Sequence, residues 1–403
     1  MESKTLIPKP TMVMMAALQV ALYTAVQSHL SQAILQDTSS IVFPLSGSIH
    51  THWAYLTTIN IGKPHKPFKV HVDTASELTW PKEHLYKPKT DSIVKCEDPL
   101  CVAIQGKERN CENPDDRCEY VIPFSDGSKT HGYLVRDIFP IRLTTGSIID
   151  SPLVFGCGYK QIGTFRGVGM LGLSRGPVGF LSQMHSQGLI KQVMGHCLSS
   201  QEGGFLFLGD DLVPRTGVSW TPITNNYHED RDYLSGPVDL LFDGKATQVR
   251  GLKVDFDSGS ALSWLNQSAY QHTLDLINQA LKKTKLKPAE PEGELSVCWS
   301  HKKKPIISLD KMNNKYFKKL TLSFQNIPNV KLELPPQAYL ILIKVGVIFL
   351  GKVCLGIDDG DKLGLENPNL IGAISMQDKL VMYDNDNHRI GWASRDCNIP
   401  PML

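Results

Sequence analysis

Two stretches of this chain are written on one template. Residues 70–80 read VHVDTASELTW and residues 254–264 read VDFDSGSALSW; aligned without a gap they share Val, Asp, Ser, Leu and Trp at the same offsets, with Thr against Ser twice. An Asp turn at a strand end is common by itself. Here each copy is closed by a Trp and followed later by an apolar pair and a glycine, GMLGLS (169–174) and NLIGAIS (369–375). The chain therefore reads as two similar halves, each with an Asp on a turn after one strand and a second strand ending in Gly. A length of 403 residues fits that reading, because it exceeds what one ordinary core supports. The segment LVPRTGVSWTPI (212–223), with Pro214, Gly217 and Pro222, is placed at the junction, giving one lobe over 51–216 and another over 217–397.

The local pattern is mostly β. YLTTINIG (55–62), FKVHVDT (68–74), GYLVRDIFPIRL (132–143), FLFLGD (205–210), KLTLSF (319–324) and KLVMYDNDNHRIGWA (379–393) alternate or run apolar over strand lengths, with Gly, Pro, Asn and Asp between them. YLILIKVGVIFLGKVCLGI (339–357), broken by Lys344 and Lys352, reads as adjacent buried strands and not as a membrane span. Helices are sparse: LSQMHSQGL (181–189), and QSAYQHTLDLINQALKK (267–283) with Asn266 or Ser268 as its N-cap. Many strands with few helices imply an all-β architecture. GLSRG (172–176) matches the G-x-S-x-G nucleophile elbow, but that motif needs an alternating βα chain, which this is not.

A formal net charge of +2 argues against a nucleic-acid partner, and the lysine-rich runs at 282–287, 301–304 and 315–319 read as a solvated face. Lys4 and Lys9 precede TMVMMAALQVALYTA (11–25), and SQA follows at 31–33, which together read as a secretory signal peptide over residues 1–33. No stable membrane insertion is expected. The protein is placed in the secretory pathway, extracellular or vacuolar. Nine cysteines suit an oxidising compartment, and the odd count leaves at least one unpaired within the chain. Cys96, Cys101, Cys111 and Cys118 lie close together, but their spacings lack the tight knuckles of a zinc site, so disulfides are expected and no metal.

Two aspartates facing each other across an axis do not both ionise easily, so the pair shares one proton. The ionised member takes a proton from a water held between them, and the protonated member donates to the carbonyl under attack. Such chemistry hydrolyses a peptide bond with no covalent intermediate and no cofactor. Around Asp73 and Asp257, the hydroxyl residues Thr74 and Ser258 brace the turns. Ala75 and Gly259 keep bulk away so that backbone N–H groups reach the carboxylates, and Ser76 and Ser260 complete the two supporting loops.

From Tyr55 to Cys397 the chain resembles the pepsin-like aspartic protease family, and within it the plant nucellin-like group. INIGKP, VDTAS, LVFGCGY, GHCLSS, GGFLFLGDDLVP, VDFDSGS, VCLGI, ISMQDKLVMYDN and IGWA carry the resemblance. It implies a bilobal fold with pseudo-twofold symmetry, a catalytic dyad of Asp73 and Asp257, an extended polypeptide substrate and a monomer. It further implies that YVIPFSDGSKTHG (120–132) is a hairpin flap over substrate, with Phe124, Asp126 and Gly127 at its tip. By the same resemblance, Cys96 is expected to pair with Cys118, Cys101 with Cys111, Cys157 with Cys397 and Cys298 with Cys354, leaving Cys197 over. Asn266, in the N-x-S/T sequon NQS, is a glycosylation candidate whose other role is a helix cap.

The chain departs from the family in several places. Ala75 stands where the family has Gly, and Phe124 where the flap usually has Tyr. PKEHLYKP follows Trp80 where a cysteine-rich insert is usual, and the stretch between Ala33 and the first expected strand, at Tyr55, is short for an inhibitory prosegment. Ala75 and Phe124 keep a second function open: a catalytically weakened homologue acting as a protein-binding or inhibitor-like module. A methyl at Ala75 is harmless at negative φ and costs about 1–2 kcal/mol at positive φ; negative φ is expected.

Overall fold

The computed structural model describes residues 39–401, apart from 83–84, 107–110, 164–167, 225–230, 302–305, 307, 310–315, 346–347 and 366–368. The signal-peptide expectation for residues 1–33 lies outside them. Among the described residues, no helix is long and apolar enough to cross a membrane.

The two halves repeat one construction around their aspartates. In the first, the strand Lys66–Asp73 runs parallel to Gly169–Gly172 with Asp73 opposite Gly172, while Trp80 bridges to Met170. In the second, Leu252–Asp257 runs parallel to Leu370–Gly372 with Asp257 opposite Gly372, while Trp264 pairs with Leu370. Each Asp thus ends a central strand, and the chain crosses back over the paired Gly. That crossing explains the glycine in each apolar–apolar–Gly strand: a Cβ on Gly172 would lie 2.2 Å from the Glu77 carbonyl oxygen, and one on Gly372 would lie 1.9 Å from that of Leu262.

A six-stranded antiparallel sheet joins the halves, in the order Ile41–Leu45, Gly204–Leu208, Val193–Leu198, Lys379–Asp384, Arg389–Ser394, Ser219–Pro222. The first half supplies three strands and the second half the rest, including the 219–222 segment expected at the junction. Ile41–Leu45 lies earlier than the first expected strand. It contains Pro44 and little alternation, and it sits at a sheet edge, where proline is tolerated. One continuous core runs through both halves, with the fully buried Val72, Leu171, Val254, Ile374 and Tyr383 at its centre. The helix expected over 267–283 is Gln267–Leu281, with Asn266 as its N-cap. The helix Pro99–Gln105 was not expected. It is a short piece started by an Asp98 cap and a proline, with no apolar periodicity long enough to read.

The disulfides correct the expected pairing. Cys298–Cys354 forms as expected, across directly opposed strand positions. The cluster is crossed, not nested: Cys96 pairs with Cys111 and Cys101 with Cys118. The segment around Lys95 bridges to Arg117, so Cys96 lies opposite Asp116 and Cys118 opposite Val94. Cys118 is therefore two positions out of step with Cys96, and it meets Cys101 of the short helix inside a core with Leu134 and Val154. Each of these loops spans 15 or 17 residues and stabilises by about 3 kcal/mol through the unfolded chain. Cys397 pairs with Cys197, not with Cys157. The joining sheet sets Val193–Leu198 beside Lys379–Asp384, next to the C-terminal tail. Cys157 is the buried free thiol, opposite Tyr133 in the sheet of Glu119–Pro123, Lys129–Arg142 and Ile148–Ile162.

Candidate active site

The two Asp turns lock onto each other across the axis. The Thr74 hydroxyl donates to the Phe256 carbonyl at 2.8 Å and accepts the Ser258 N–H at 2.9 Å. Reciprocally, the Ser258 hydroxyl donates to the Val72 carbonyl at 2.9 Å and accepts the Thr74 N–H at 3.1 Å. Both residues are buried, so none of these bonds competes with water. At about 1 kcal/mol each they hold the lobes in register more than they stabilise the fold.

The bracing fixes the carboxylates. Asp73 Oδ1 accepts the N–H groups of Ala75 (2.9 Å) and Ser76 (3.2 Å), and its Oδ2 accepts the Ser76 hydroxyl at 2.5 Å. Asp257 Oδ1 accepts the N–H groups of Gly259 (2.8 Å) and Ser260 (3.1 Å). The Ser260 hydroxyl turns away, donating to the Leu262 carbonyl and accepting the Trp264 indole N–H. Asp257 thus has one donor fewer. Burial, and then the charge of Asp73, push its carboxyl well above the ordinary carboxylate range.

Gly259 lies between the two carboxyls. Its N–H holds Asp257, and a Cβ on it would stand 2.4 Å from the carboxyl carbon of Asp73. Glycine is therefore required in the second turn. Its counterpart Ala75 is exposed to the cleft, lies outside the positive-φ residues, and carries its methyl without backbone strain.

The dyad sits at the floor of a cleft of about 1430 Å³ between the lobes. The hairpin Glu119–Pro123 with Lys129–Arg142 overhangs it. Phe124 and Asp126 line the cleft; Gly127 does not, and supplies the tip turn with φ +81. The turn closes through Phe124 N–H to the Ser128 carbonyl and through Asp126, whose carboxylate accepts the Ser128 N–H and hydroxyl. Phe124 packs edge-on against the buried Trp80, with ring centroids 6.4 Å apart. Asn266 is engaged at both ends of its amide: Oδ1 accepts the Ala269 N–H at 3.0 Å, and Nδ2 lies 3.3 Å from Asn369 Oδ1.

The chain is similar over its length to an aspartic proteinase of Oryza sativa subsp. japonica, with 37% identity over 91% of this chain and 94% of that one. The chain belongs to the plant aspartic proteinase family. Aspartic proteinase 36 of Arabidopsis thaliana shares 28% identity over 92% of this chain and 80% of its own. Two family models match in tandem, Xylanase inhibitor N-terminal over residues 55–210 and Xylanase inhibitor C-terminal over 239–394. Among solved structures, basic 7S globulin from soybean superposes with a TM-score of 0.69 at 16% identity, covering 88% of this chain and 94% of that one. The structure described as edgp superposes with a TM-score of 0.70 at 18% identity, covering 90% and 96%. At those identities the likeness is one of fold.

Two groups in the site were not expected from sequence. Glu77, buried in the first turn, accepts the Val178 N–H and pairs with Arg231 of the other half at 2.7 Å; Arg231 also donates to the Ala103 carbonyl. Asp255 lies two residues before Asp257 on the same strand face and lines the same cleft. Its signal was in the repeat itself, which reads VDFD where the first copy reads VHVD.

Proposed function

We propose that the chain is an aspartic endopeptidase that cuts polypeptides bound extended in the cleft beneath the 119–142 hairpin. The observation that carries this reading is the intact donor set on both aspartates, held in register by the Thr74–Ser258 bonds. In this reading Asp257, whose carboxyl is raised, gives the proton that goes to the substrate carbonyl, and Asp73 is the base for a water between the carboxyls. The reaction needs the shared proton, so activity is expected at acidic pH and is lost as pH rises through the raised value of Asp257. Four disulfides and the N-terminal apolar segment support action in an oxidising compartment, extracellular or vacuolar.

A second reading, a weakened homologue that binds another protein, is favoured by Ala75 and by the inhibitor names of the matching family models. A peptide-library digest at acidic pH separates the two. The enzyme reading expects cleavage that a transition-state-mimicking hydroxyl inhibitor blocks; intact peptides after long incubation would leave only the binding reading.

A further inference from the structure

Asp255 is a carboxyl where an apolar side chain would be expected. Its strand neighbours Val254 and Phe256 are fully buried, and Asp255 itself is only 8% exposed. Backbone N–H groups at Tyr233 and Phe256 lower the cost of its charge in part, but Oδ1 has no hydrogen-bond partner among the described residues. Burial, and then the charges of Asp232, from the segment entering the neighbouring strand Leu234–Phe242, and of Asp257, raise its carboxyl well above the ordinary carboxylate range. Arg231, in that same segment, gives its guanidinium to Glu77 and Ala103. A buried acceptor left unsatisfied among carboxylates is costly, and an apolar residue of similar size would avoid the cost.

The position of the group matters as much as its burial. Asp255 and Asp232 both line the cleft, with Leu234 and Leu370 beside them, on the floor adjoining the dyad. Leu234 and Leu370 are the residues opposite Asp255 on its two neighbouring strands. This stretch of the cleft lining therefore sets leucines beside a carboxyl with an unpartnered oxygen, next to the reacting centre. An aliphatic stem ending in a cation matches both parts: the stem covers the leucines and the head reaches the carboxyls.

We propose that Asp255, flanked by Asp232, forms a substrate subsite beside the dyad that selects a lysine or arginine side chain of the bound polypeptide. The proposal rests on the reading of the cleft as a polypeptide site. Its test is built so that the two fail separately. A peptide series carries arginine or its neutral isostere citrulline at each position around the scissile bond. The readout is the arginine-to-citrulline ratio of kcat/KM within each protein form, which a purely structural role for Asp255 would not move. At one position the wild-type protein should prefer arginine by about tenfold or more, and in Asp255→Asn that ratio should fall towards one. A ratio near one at every position in the wild type overturns the subsite, and needs no variant to do so. A preference that survives in Asp255→Asn, or equal losses on both peptides, also overturns it. If no peptide is cut, the protease reading fails and the subsite is judged on binding of reduced-amide versions of the same series. Tenfold tighter binding of the arginine form, lost in Asp255→Asn, upholds it; equal Kd values, or a preference that survives in Asp255→Asn, sink it.

Discussion

The turn at Asp73 and the turn at Asp257 start from one template, and their backbones follow it closely. Both Asp residues end a strand parallel to a glycine-ended partner, and both take two N–H donors from the next residues. Three pairs of side chains around the carboxyls differ. Ser76 gives its hydroxyl to Asp73, while Ser260 turns to Leu262 and Trp264. Ala75 keeps a methyl at the cleft where Gly259 can carry none. Two residues before each Asp, the first copy has His71 and the second Asp255, and both line the cleft. The duplicated backbone brings the carboxyls together, and the unequal side chains set them in unequal surroundings.

Breaking the comparison at its centre gives the largest effect. Asp257→Asn keeps the shape of the side chain and removes the transferable proton, so kcat/KM should fall by about a thousandfold or more. The same variant reads the charge balance through stability. Asp257 is raised above its unfolded value, so the native protein keeps a proton that the unfolded chain has released. Stability from this group is full below the ordinary carboxylate range and is lost as pH rises through the raised value. The parent should therefore lose more in Tm between pH 4 and pH 7 than Asp257→Asn does. Calorimetric scans with equal losses in the two proteins would show that the carboxyl is not raised.

Gly259→Ala comes next. Its Cβ would overlap the Asp73 carboxyl, which is fixed by three donors and has little room to retreat. The carboxyls must move apart, and a displacement of that kind costs about a hundredfold in rate. Peptide cleavage rates at saturating substrate check this; a variant as fast as the parent would mean that the turns are looser than their hydrogen bonds imply.

How much of this was legible in the sequence divides along the same line. The duplicated motif fixed the dyad, the Asp-to-Gly strand pairs and the bracing roles of Thr74 and Ser258, because those depend on local strand and turn patterns. The long helix and its Asn266 cap were legible for the same reason. The disulfide partners were not, because they depend on which strands become neighbours: Cys197 meets Cys397 only once the joining sheet has formed. Ile41–Leu45 was missed because a short edge strand with a proline carries almost no alternation. Asp255 was printed in the repeat, but its burial and its unpaired oxygen belong to the folded cleft.

The smallest effect sharpens the comparison by making the halves alike. Ala75→Gly restores the same residue to both turns. Ala75 sits at negative φ and is exposed, so the methyl does not strain the backbone, and its N–H already holds Asp73 at 2.9 Å. What the methyl does is occupy space in the cleft beside Asp73, where the proposed reaction puts a water. Removing it should raise kcat a few-fold and leave KM nearly unchanged, because the more distant walls of the cleft that hold the polypeptide are untouched. Glycine also enlarges the freedom of the unfolded chain, so the variant should lose about 0.5–1 kcal/mol of stability. The two effects have opposite signs and are read by separate measurements, steady-state kinetics and thermal unfolding. A change in KM with kcat unmoved would place the methyl against bound substrate instead of against the water, and the difference between the two turns would then be one of specificity and not of rate.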